Sequence, residues 1–226
     1  MNGRAGEPVQ WPILTDVPPE ELRELLQVAR RRRFGRNEVV FHRDDPGDAL
    51  HLIEKGRFSI RVMTPLGQVV TIALRGPGDS FGEMALLSDD ARRSATVTAL
   101  EEAETFSITR ADFDRLRTKH PRINDLLLQF LQHELRVLND RLLEALYMPV
   151  ETRVARRLVE LAALFPHGEN EALIPLTQES IAELAGASRA TVNQVLRDEE
   201  RRGTIELTRG KTRILDLSRL SARTRR

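Results

Sequence analysis

The chain has 226 residues, of which 40% are hydrophobic and 31% charged, and its formal net charge is +1. That length accommodates two domains, each with a hydrophobic core of its own. Cysteine is absent, which excludes disulfides, thiolate catalysis, cysteine-ligated zinc and cysteine-held iron–sulfur clusters. Residues 1–11 lack the apolar run of a signal peptide, and no stretch approaches the roughly 20 apolar residues of a membrane span. The sequence therefore predicts a cytoplasmic protein.

Charge is distributed unevenly along the chain. Residues 186–226 contain eleven Arg and Lys against five Asp and Glu, a local excess of six positive charges that the remainder nearly cancels. Such an excess suits a polyanionic partner such as DNA, although arginine-rich chain ends are also commonly solvated surfaces. Charge alone leaves both interpretations open.

The first half of the sequence changes from a helical to a β pattern. Pro18 and Pro19, followed by leucines at helical spacing, predict a short helix whose basic end, residues 30–33, we interpret as solvated. From Phe34 to about Phe106, short β-rich segments alternate with Gly and Pro turns. The predicted strands cover residues 38–41, 51–54, 57–63 and 69–74. These strands and turns predict a small all-β barrel or roll.

A long helix is predicted over residues 121–148. Apolar residues recur within it at spacings of three and four, as in a coiled-coil seam. These residues are Leu128, Leu131, Leu135, Leu138, Leu142 and Ala145. We favour a parallel contact between two such helices in a dimer, and the alternative is a helix packed on its own domain. Pro149 ends the helix and marks a domain boundary, after which a further helix runs from about residue 151 to 165.

Residues 177–196 have the pattern of a helix-turn-helix. Ala182 and Gly186 are small enough for two helices to cross closely, and Ser188 is placed to cap the second helix. The N-terminal residues of that second helix enter the major groove of DNA in this motif. Arginine suits guanine, Asn and Gln suit adenine, and hydroxyls suit phosphates. The candidate DNA-binding residues of the motif are Thr177, Ser188, Arg189, Ala190, Thr191, Asn193 and Gln194.

A basic hairpin is predicted after the helix-turn-helix. Residues 205–208 and 212–215 flank Arg209, Gly210 and Lys211, so that a β-wing would present Arg209 and Lys211 to the DNA backbone. A winged helix used for protein contacts is the alternative. The polar donors at the start of the second helix favour DNA.

Two short motifs within the β-rich part carry a family resemblance. Residues 78–87 are GDSFGEMALL and residues 92–96 are RRSAT, which resembles the phosphate-binding cassette of cyclic nucleotide-binding domains. Together with the helix-turn-helix, the chain from about Ile13 resembles the Crp-Fnr transcription regulators. The resemblance implies an α+β fold with a β-roll sensor domain over residues 12–120, a long dimerisation helix over 121–148 and a winged helix-turn-helix domain over 149–226. It further implies a homodimer on palindromic double-stranded DNA, cyclic AMP as ligand and contact with RNA polymerase.

The resemblance also assigns roles within the cassette. In the family, the residues that match Gly82 and Glu83 meet the ribose and nearby phosphate oxygens, and those that match Arg93 and Ser94 hold the cyclic phosphate. A glycine lets backbone N–H groups approach an anion, and a guanidinium neutralises it. Met84, Ala85, Leu138 and Asn139 complete the expected ligand-binding set. From the residues alone, a Glu83–Arg93 salt bridge that closes the roll is the alternative.

Departures from the family bear on ligand and DNA specificity. Leu138 and Asn139 stand where the cyclic-AMP receptor bonds adenine through a threonine and a small polar residue, so that a hydroxyl is lost. The ligand could therefore carry another base or be another small anion, and a regulator that needs no ligand is a further alternative. In the reading helix the family's Arg-Glu pair becomes Arg189-Ala190 and a second arginine becomes Gln194, so the DNA half-site should differ.

Two enzyme-related classes fit the sequence less well. A cupin metalloenzyme needs a His-x-His motif, whereas the five histidines here are scattered. A cyclic-nucleotide-regulated kinase subunit needs a catalytic or inhibitory segment where the winged helix is predicted. We therefore expect no enzymatic activity, no catalytic residue, and no metal, haem or iron–sulfur cofactor.

Overall fold

The computed structural model describes residues 9–87 and 90–225. Residues 1–8, part of the segment expected not to be a signal peptide, lie outside the described residues. The chain divides into two compact units: the first comprises Met1–Gly67 and Ile72–Leu135, and the second comprises Gln68–Thr71 and Arg136–Arg226. Over the described ranges, no helix combines the length and the apolar character needed to cross a bilayer.

After a 3-10 helix at Pro12–Leu14, the first α-helix carries proline at its start and acidic residues in its first turn, both of which favour a helix N-terminus. Strands and three further helices follow, the last of them long. In chain order these elements are α1 (Pro19–Val28), β1 (Arg30–Phe34), β2 (Val39–Phe41), β3 (Ala49–Lys55), β4 (Phe58–Met63), β5 (Val69–Arg75), β6 (Ser80–Phe81), α2 (Glu83–Leu87), β7 (Thr96–Ala99), β8 (Ala103–Thr109), α3 (Arg110–Lys119) and α4 (Arg122–Tyr147). The start of β5, up to Thr71, and the part of α4 after Leu135 belong to the second unit.

The strands form two four-stranded sheets with the orders β1-β8-β3-β6 and β2-β7-β4-β5. Successive side chains of a strand point to opposite faces, and in β3 they enter two separate clusters of buried residues. Leu50 and Leu52 pack with residues of α1, α3 and α4. Ile53 packs in a cluster between the two sheets, with Phe81 of its own sheet and with Phe58 and Val97 of the opposite one. The β-roll predicted from the sequence is confirmed.

The basic run at residues 30–33 is exposed, as expected, but it is not a helix end, and that part of the prediction was wrong. The helix ends at Val28, and the run forms most of strand β1, which pairs antiparallel with β8. Arg31 lies 2.5 Å from Glu54 and 2.8 Å from Glu104, measured between guanidinium nitrogens and carboxylate oxygens. Ladder hydrogen bonds and cross-strand ion pairs therefore set the conformation of a segment with no apolar alternation of its own.

The second unit contains a helix-turn-helix flanked by a three-stranded sheet. After Pro149, which N-caps the first helix, its elements are α5 (Val150–Leu164), β9 (Ala172–Ile174), α6 (Gln178–Ala185), α7 (Arg189–Arg201), β10 (Ile205–Thr208), β11 (Lys211–Ile214) and α8 (Leu217–Ala222). The sheet order is β10-β11-β9. The helices share a buried core that includes Leu158, Ile181, Val192 and Leu196. This confirms the winged helix-turn-helix, with a third strand that the sequence patterns did not predict.

Candidate ligand cassette and DNA-reading surface

Gly82 fixes the entry to the cassette between β6 and α2. Its φ of +94° lies in the left-handed region that favours glycine. A Cβ atom there would lie 2.7 Å from Nη1 of Arg93 and 2.8 Å from the carbonyl oxygen of Ala49. Backbone conformation and space therefore both require glycine beside the arginine.

Arg93 is buried and held by its surroundings, with only 4% of the residue exposed. Its Nη1 donates to the carbonyl oxygens of Ala49 at 2.9 Å and Gly82 at 3.2 Å. Its Cζ lies 4.1 Å from the centre of the Phe41 ring, within the range of a cation–π contact. Burial lowers the pKa of Arg93, and nearby carboxylates oppose the shift. The guanidinium thus has a fixed position before any anion binds.

Glu83 opens helix α2 and is the second buried ionisable group of the cassette. Burial raises its pKa above the ordinary value for glutamate. Its Oε2 and the Nε of Arg93 are both buried without a hydrogen-bond partner. No salt bridge joins these two residues in the described part of the chain, so the salt-bridge alternative is not what the structure contains.

These two orphaned atoms provide a test of whether a cyclic nucleotide fits. A buried polar group without a partner costs about 1–3 kcal/mol. An anion near Arg93 and a hydroxyl donor near Glu83 would satisfy both atoms, and a cyclic ribose phosphate carries both groups. The cassette residues therefore fit the ligand that the motif implies.

The other expected ligand residues divide into two groups. Ala85 is buried, Ser94 is exposed and Met84 is 45% exposed, all within the cassette. Leu138 and Asn139 are exposed on α4 and belong to the second unit. The structure brings the first group together around Arg93 and Glu83, and for the second group it gives only the position on the helix.

The sequence analysis did not identify a group of aromatic side chains that packs beneath the cassette. Phe41 underlies Arg93, and His51 stacks on Phe81 with ring centres 4.9 Å apart and planes 7° apart. A Cβ on Gly47 would lie 3.0 Å from Nε of Arg93. The sequence signalled Gly47 only as part of a turn, and no local pattern connects these residues with the arginine.

The helix-turn-helix consists of two helices, α6 and α7, that are each capped at the N-terminus. Thr177 accepts from the backbone N–H of Ser180, and Ser188 accepts from that of Thr191, each at 3.1 Å. Gly186 ends α6 in the left-handed conformation with φ of +58°. The cap at Ser188 agrees with the sequence prediction, and the second helix extends beyond the motif to Arg201.

The candidate base-reading residues differ in their present contacts. Arg189 and Ala190 are exposed at the first turn of α7. Asn193 accepts from Arg197 at 3.4 Å, and Gln194 donates to Asp198 at 2.9 Å. A base contact by either amide therefore has to replace an interaction within the helix.

The wing is a two-residue hairpin. Thr208 pairs with Lys211 across a turn formed by Arg209 and Gly210, and Gly210 has φ of +74°. Arg209 and Lys211 are both exposed. The second strand of the wing begins one residue earlier than the sequence predicted.

Comparison with known families identifies both halves of the chain. Residues 31–120 match the cyclic nucleotide-binding domain, and residues 152–223 match the Crp-like helix-turn-helix domain. The fold and its two candidate sites thus define a DNA-binding transcription regulator with a cyclic nucleotide-binding domain.

Relatives that align over nearly the full length narrow this class to a family. The CRP-like cAMP-activated global transcriptional regulator of Mycobacterium tuberculosis is 35% identical over 216 residues, covering 94% of this chain and 96% of the relative. The cyclic AMP receptor protein of Thermus thermophilus is 32% identical over 212 residues, covering 92% and 94%. The crystal structure of the Thermus thermophilus catabolite activator protein aligns with a TM-score of 0.54 at 31% identity, over 94% of this chain and 98% of that one. The chain belongs to the Crp-Fnr family, which consists of transcription regulators and is not an enzyme class.

Proposed function

We propose that the protein is a homodimeric transcription regulator that binds palindromic DNA and is modulated by a cyclic nucleotide. Cyclic AMP is the ligand that we favour. The observation that carries the proposal is the pair of buried, unpartnered atoms in the cassette, Glu83 Oε2 and Arg93 Nε. The carboxylate oxygen of Glu83 requires a hydrogen-bond donor, and the N–H of Arg93 requires an acceptor. Relatives named as cAMP-activated or as a cyclic AMP receptor support cyclic AMP as the first ligand to test.

Each cassette residue has a role in this proposal. Arg93 neutralises the cyclic phosphate in a charge-assisted hydrogen bond, and Glu83 accepts from the ribose 2′-hydroxyl. The backbone at Gly82 and the hydroxyl of Ser94 add contacts to phosphate oxygens. Met84 and Ala85 line the same site, and Leu138 and Asn139 are the proposed neighbours of the base.

Exposed leucines on α4 support the dimer. Leu128, Leu135, Leu138 and Leu142 are each more than half exposed in the single chain. Ile123 and Leu127 of the same helix are buried in the core of their own unit. The helix therefore has one apolar side that its own domain covers and a second that a partner helix would cover.

A symmetric dimer presents two reading helices about one turn of DNA apart, roughly 34 Å, which requires a palindromic site. In each half-site Arg189 would bond guanine, Asn193 or Gln194 would bond adenine after release from its helical partner, and Ala190 would allow close approach. Thr177, Ser188, Thr191, Arg209 and Lys211 would contact phosphates. A regulator of this kind acts with RNA polymerase in the cytoplasm.

Calorimetric titration tests the ligand. We expect the protein to bind cyclic AMP and Arg93→Ala to lose that binding, because the phosphate would lose its counter-charge. Arg36→Ala, at an exposed turn residue, is the matched control and should bind as the parent does. An Arg93→Ala variant that binds as tightly as the parent would mean that the phosphate site is misassigned.

A ligand-independent regulator is the second candidate, and Leu138 is the observation that favours it. This leucine replaces a hydroxyl that would contact the base and adds apolar surface to the exposed side of α4. Operator affinity measured with and without saturating cyclic AMP separates the candidates. Equal affinity in both conditions supports the second one.

A further inference from the structure

Helix α2, which begins with Glu83, is bound at its other end by Arg110, the first residue of α3. Nη1 of Arg110 donates to the carbonyl oxygen of Leu86 at 2.9 Å, and Nη2 donates to that of Ala85. Carbonyl groups in the last turn of an α-helix have no partner within the helix, and a cation beside them is favourable. One guanidinium therefore caps the C-terminal end of the cassette helix.

The backbone at Arg110 is held by contacts of its own. Its N–H donates to the carbonyl oxygen of Asp48 at 2.7 Å, directly before strand β3. The side chain of Thr109 caps α3 by accepting from the backbone N–H of Asp112 at 3.2 Å. Phe113, in the first turn of α3, is fully buried in the core cluster with α1 and α4. The guanidinium therefore reaches α2 from a capped and well-packed helix start.

Helix α2 depends on such contacts because it has only five residues, too few for a helix to persist by itself. Ala85 and Leu86 are buried, and a Cβ atom on Gly47 would lie 2.3 Å from the Cβ of Ala85. Apolar burial is non-directional, whereas hydrogen bonds require a defined direction. The two bonds from Arg110 therefore set the orientation of α2 more narrowly than its apolar packing does.

The two ionisable groups of the cassette have different anchors. Nη1 of Arg93 donates to the carbonyl oxygens of Ala49 and Gly82, and the guanidinium also lies over the ring of Phe41. Glu83 belongs to α2 and changes position with that helix. Since a hydrogen bond weakens steeply as its geometry departs from the optimum, a displacement of α2 affects the hydroxyl contact of Glu83 more than the phosphate contact of Arg93.

We propose that Arg110 is a positioning residue of the cassette, which orients α2 so that the carboxylate of Glu83 reaches the ribose 2′-hydroxyl and the site prefers ribose to deoxyribose. This inference rests on the proposed function. It adds to the site a residue from outside the two cassette motifs, and it connects the preference for the sugar with helix α3.

The test is calorimetric titration of the parent, Arg110→Met and Arg110→Lys with two probes, cyclic AMP and 2′-deoxy cyclic AMP. Methionine keeps an unbranched apolar stem and removes both donors, and we expect about a tenfold loss of affinity for cyclic AMP. The affinity for 2′-deoxy cyclic AMP should stay within about twofold of the parent value, because that nucleotide lacks the hydroxyl from which Glu83 accepts. Lysine restores a cation without the fork geometry of arginine and should recover part of the loss.

The same comparison in a Glu83→Ala background shows whether the two residues act on one contact. There, Arg110→Met should weaken cyclic AMP binding by no more than about a further twofold, since the contact that Arg110 positions is already absent. Arg115→Met, at an exposed position of α3, is the matched control and should bind both probes as the parent does. Thermal unfolding verifies the fold of each variant. If Arg110→Met does not fold, Arg110→Lys makes the same comparison, with a smaller loss for cyclic AMP alone.

Three results overturn the inference alone. They are an equal loss of affinity for both probes in Arg110→Met, parent-like affinity of that variant for both probes, and an undiminished effect of the substitution in the Glu83→Ala background. A parent protein that does not distinguish the two probes overturns the contact of Glu83 with the 2′-hydroxyl, and the inference with it. A parent that binds neither nucleotide overturns the proposed function itself.

Discussion

At the scale of single residues, His51 shows how burial beneath the cassette makes stability depend on pH. Burial, with the nearby charges of Arg93 and Arg32, lowers the pKa of His51 from 6.5 to about 3. The unfolded chain takes up a proton on this residue below about pH 6.5, whereas the folded protein does so only near pH 3. The free energy of unfolding therefore decreases as the pH falls through that window, by up to about 1.4 kcal/mol per pH unit.

The substitution His51→Phe should remove this dependence, because a phenyl ring does not titrate and can keep the stacking on Phe81. Between pH 7 and pH 5 we expect the variant to lose about 2 kcal/mol less of its unfolding free energy than the parent. The loss of the 3.0 Å contact between His51 Nδ1 and Thr105 Oγ1 should lower stability equally at both values. Urea unfolding at the two pH values measures the difference, with exposed His42→Phe as the matched control. Identical pH dependence in parent and His51→Phe would contradict the assignment.

Residues of the site were predictable from the sequence where a local motif carries them. The GEMALL and RRSAT segments led to Gly82, Glu83 and Arg93, which the structure brings together. Phe41 was missed because it reaches Arg93 from a strand that is distant in sequence, and only the folded sheets create that proximity. Sequence spacing reports neighbours along one element and not the partners that tertiary packing supplies.

At the scale of elements, the same distinction explains which boundaries were found. The helix predicted over residues 121–148 is α4 (Arg122–Tyr147), because apolar spacing and Pro149 define it locally. Strand β1 was mistaken for a helix end, since four consecutive arginines have no alternation and the strand exists through pairing with β8. Strand β9 has only three residues and depends likewise on its partner β11.

The reading helix and the wing should contribute to DNA binding in different ways. Arg189→Ala should weaken specific binding by about 1–3 kcal/mol and relax the preference at one base pair, as expected for loss of a bidentate guanine contact. Lys211→Ala should instead weaken binding to all sequences alike and reduce its salt dependence, because a phosphate contact carries no sequence information.

Selection of binding sites from random DNA, followed by salt titration, measures both effects. Glu206→Ala changes an exposed wing residue of opposite charge and controls for disturbance of the hairpin. If parent and Arg189→Ala select the same sequence logo, Arg189 does not read a base.

At the scale of the whole molecule, the exposed leucines of α4 make assembly testable. Leu135→Asp should shift the protein from dimer to monomer at micromolar concentration, because a desolvated carboxylate would stand in the helix contact. Gln132→Asp, at an exposed position of the same helix outside the seam, should leave the dimer intact. Analytical ultracentrifugation of the three proteins distinguishes these outcomes. A purely monomeric parent, or a dimer unaffected by Leu135→Asp, would contradict the proposed interface.

Strand β3 has a consequence for how the first unit melts. Leu52 belongs to the cluster with α1, α3 and α4, and its neighbour Ile53 belongs to the cluster between the sheets. Because the same strand packs on the helices through Leu52 and on the roll interior through Ile53, we expect that loss of either cluster destabilises the other. We therefore expect the two clusters to melt together, so that a cavity made in either one lowers a single transition temperature of the first unit.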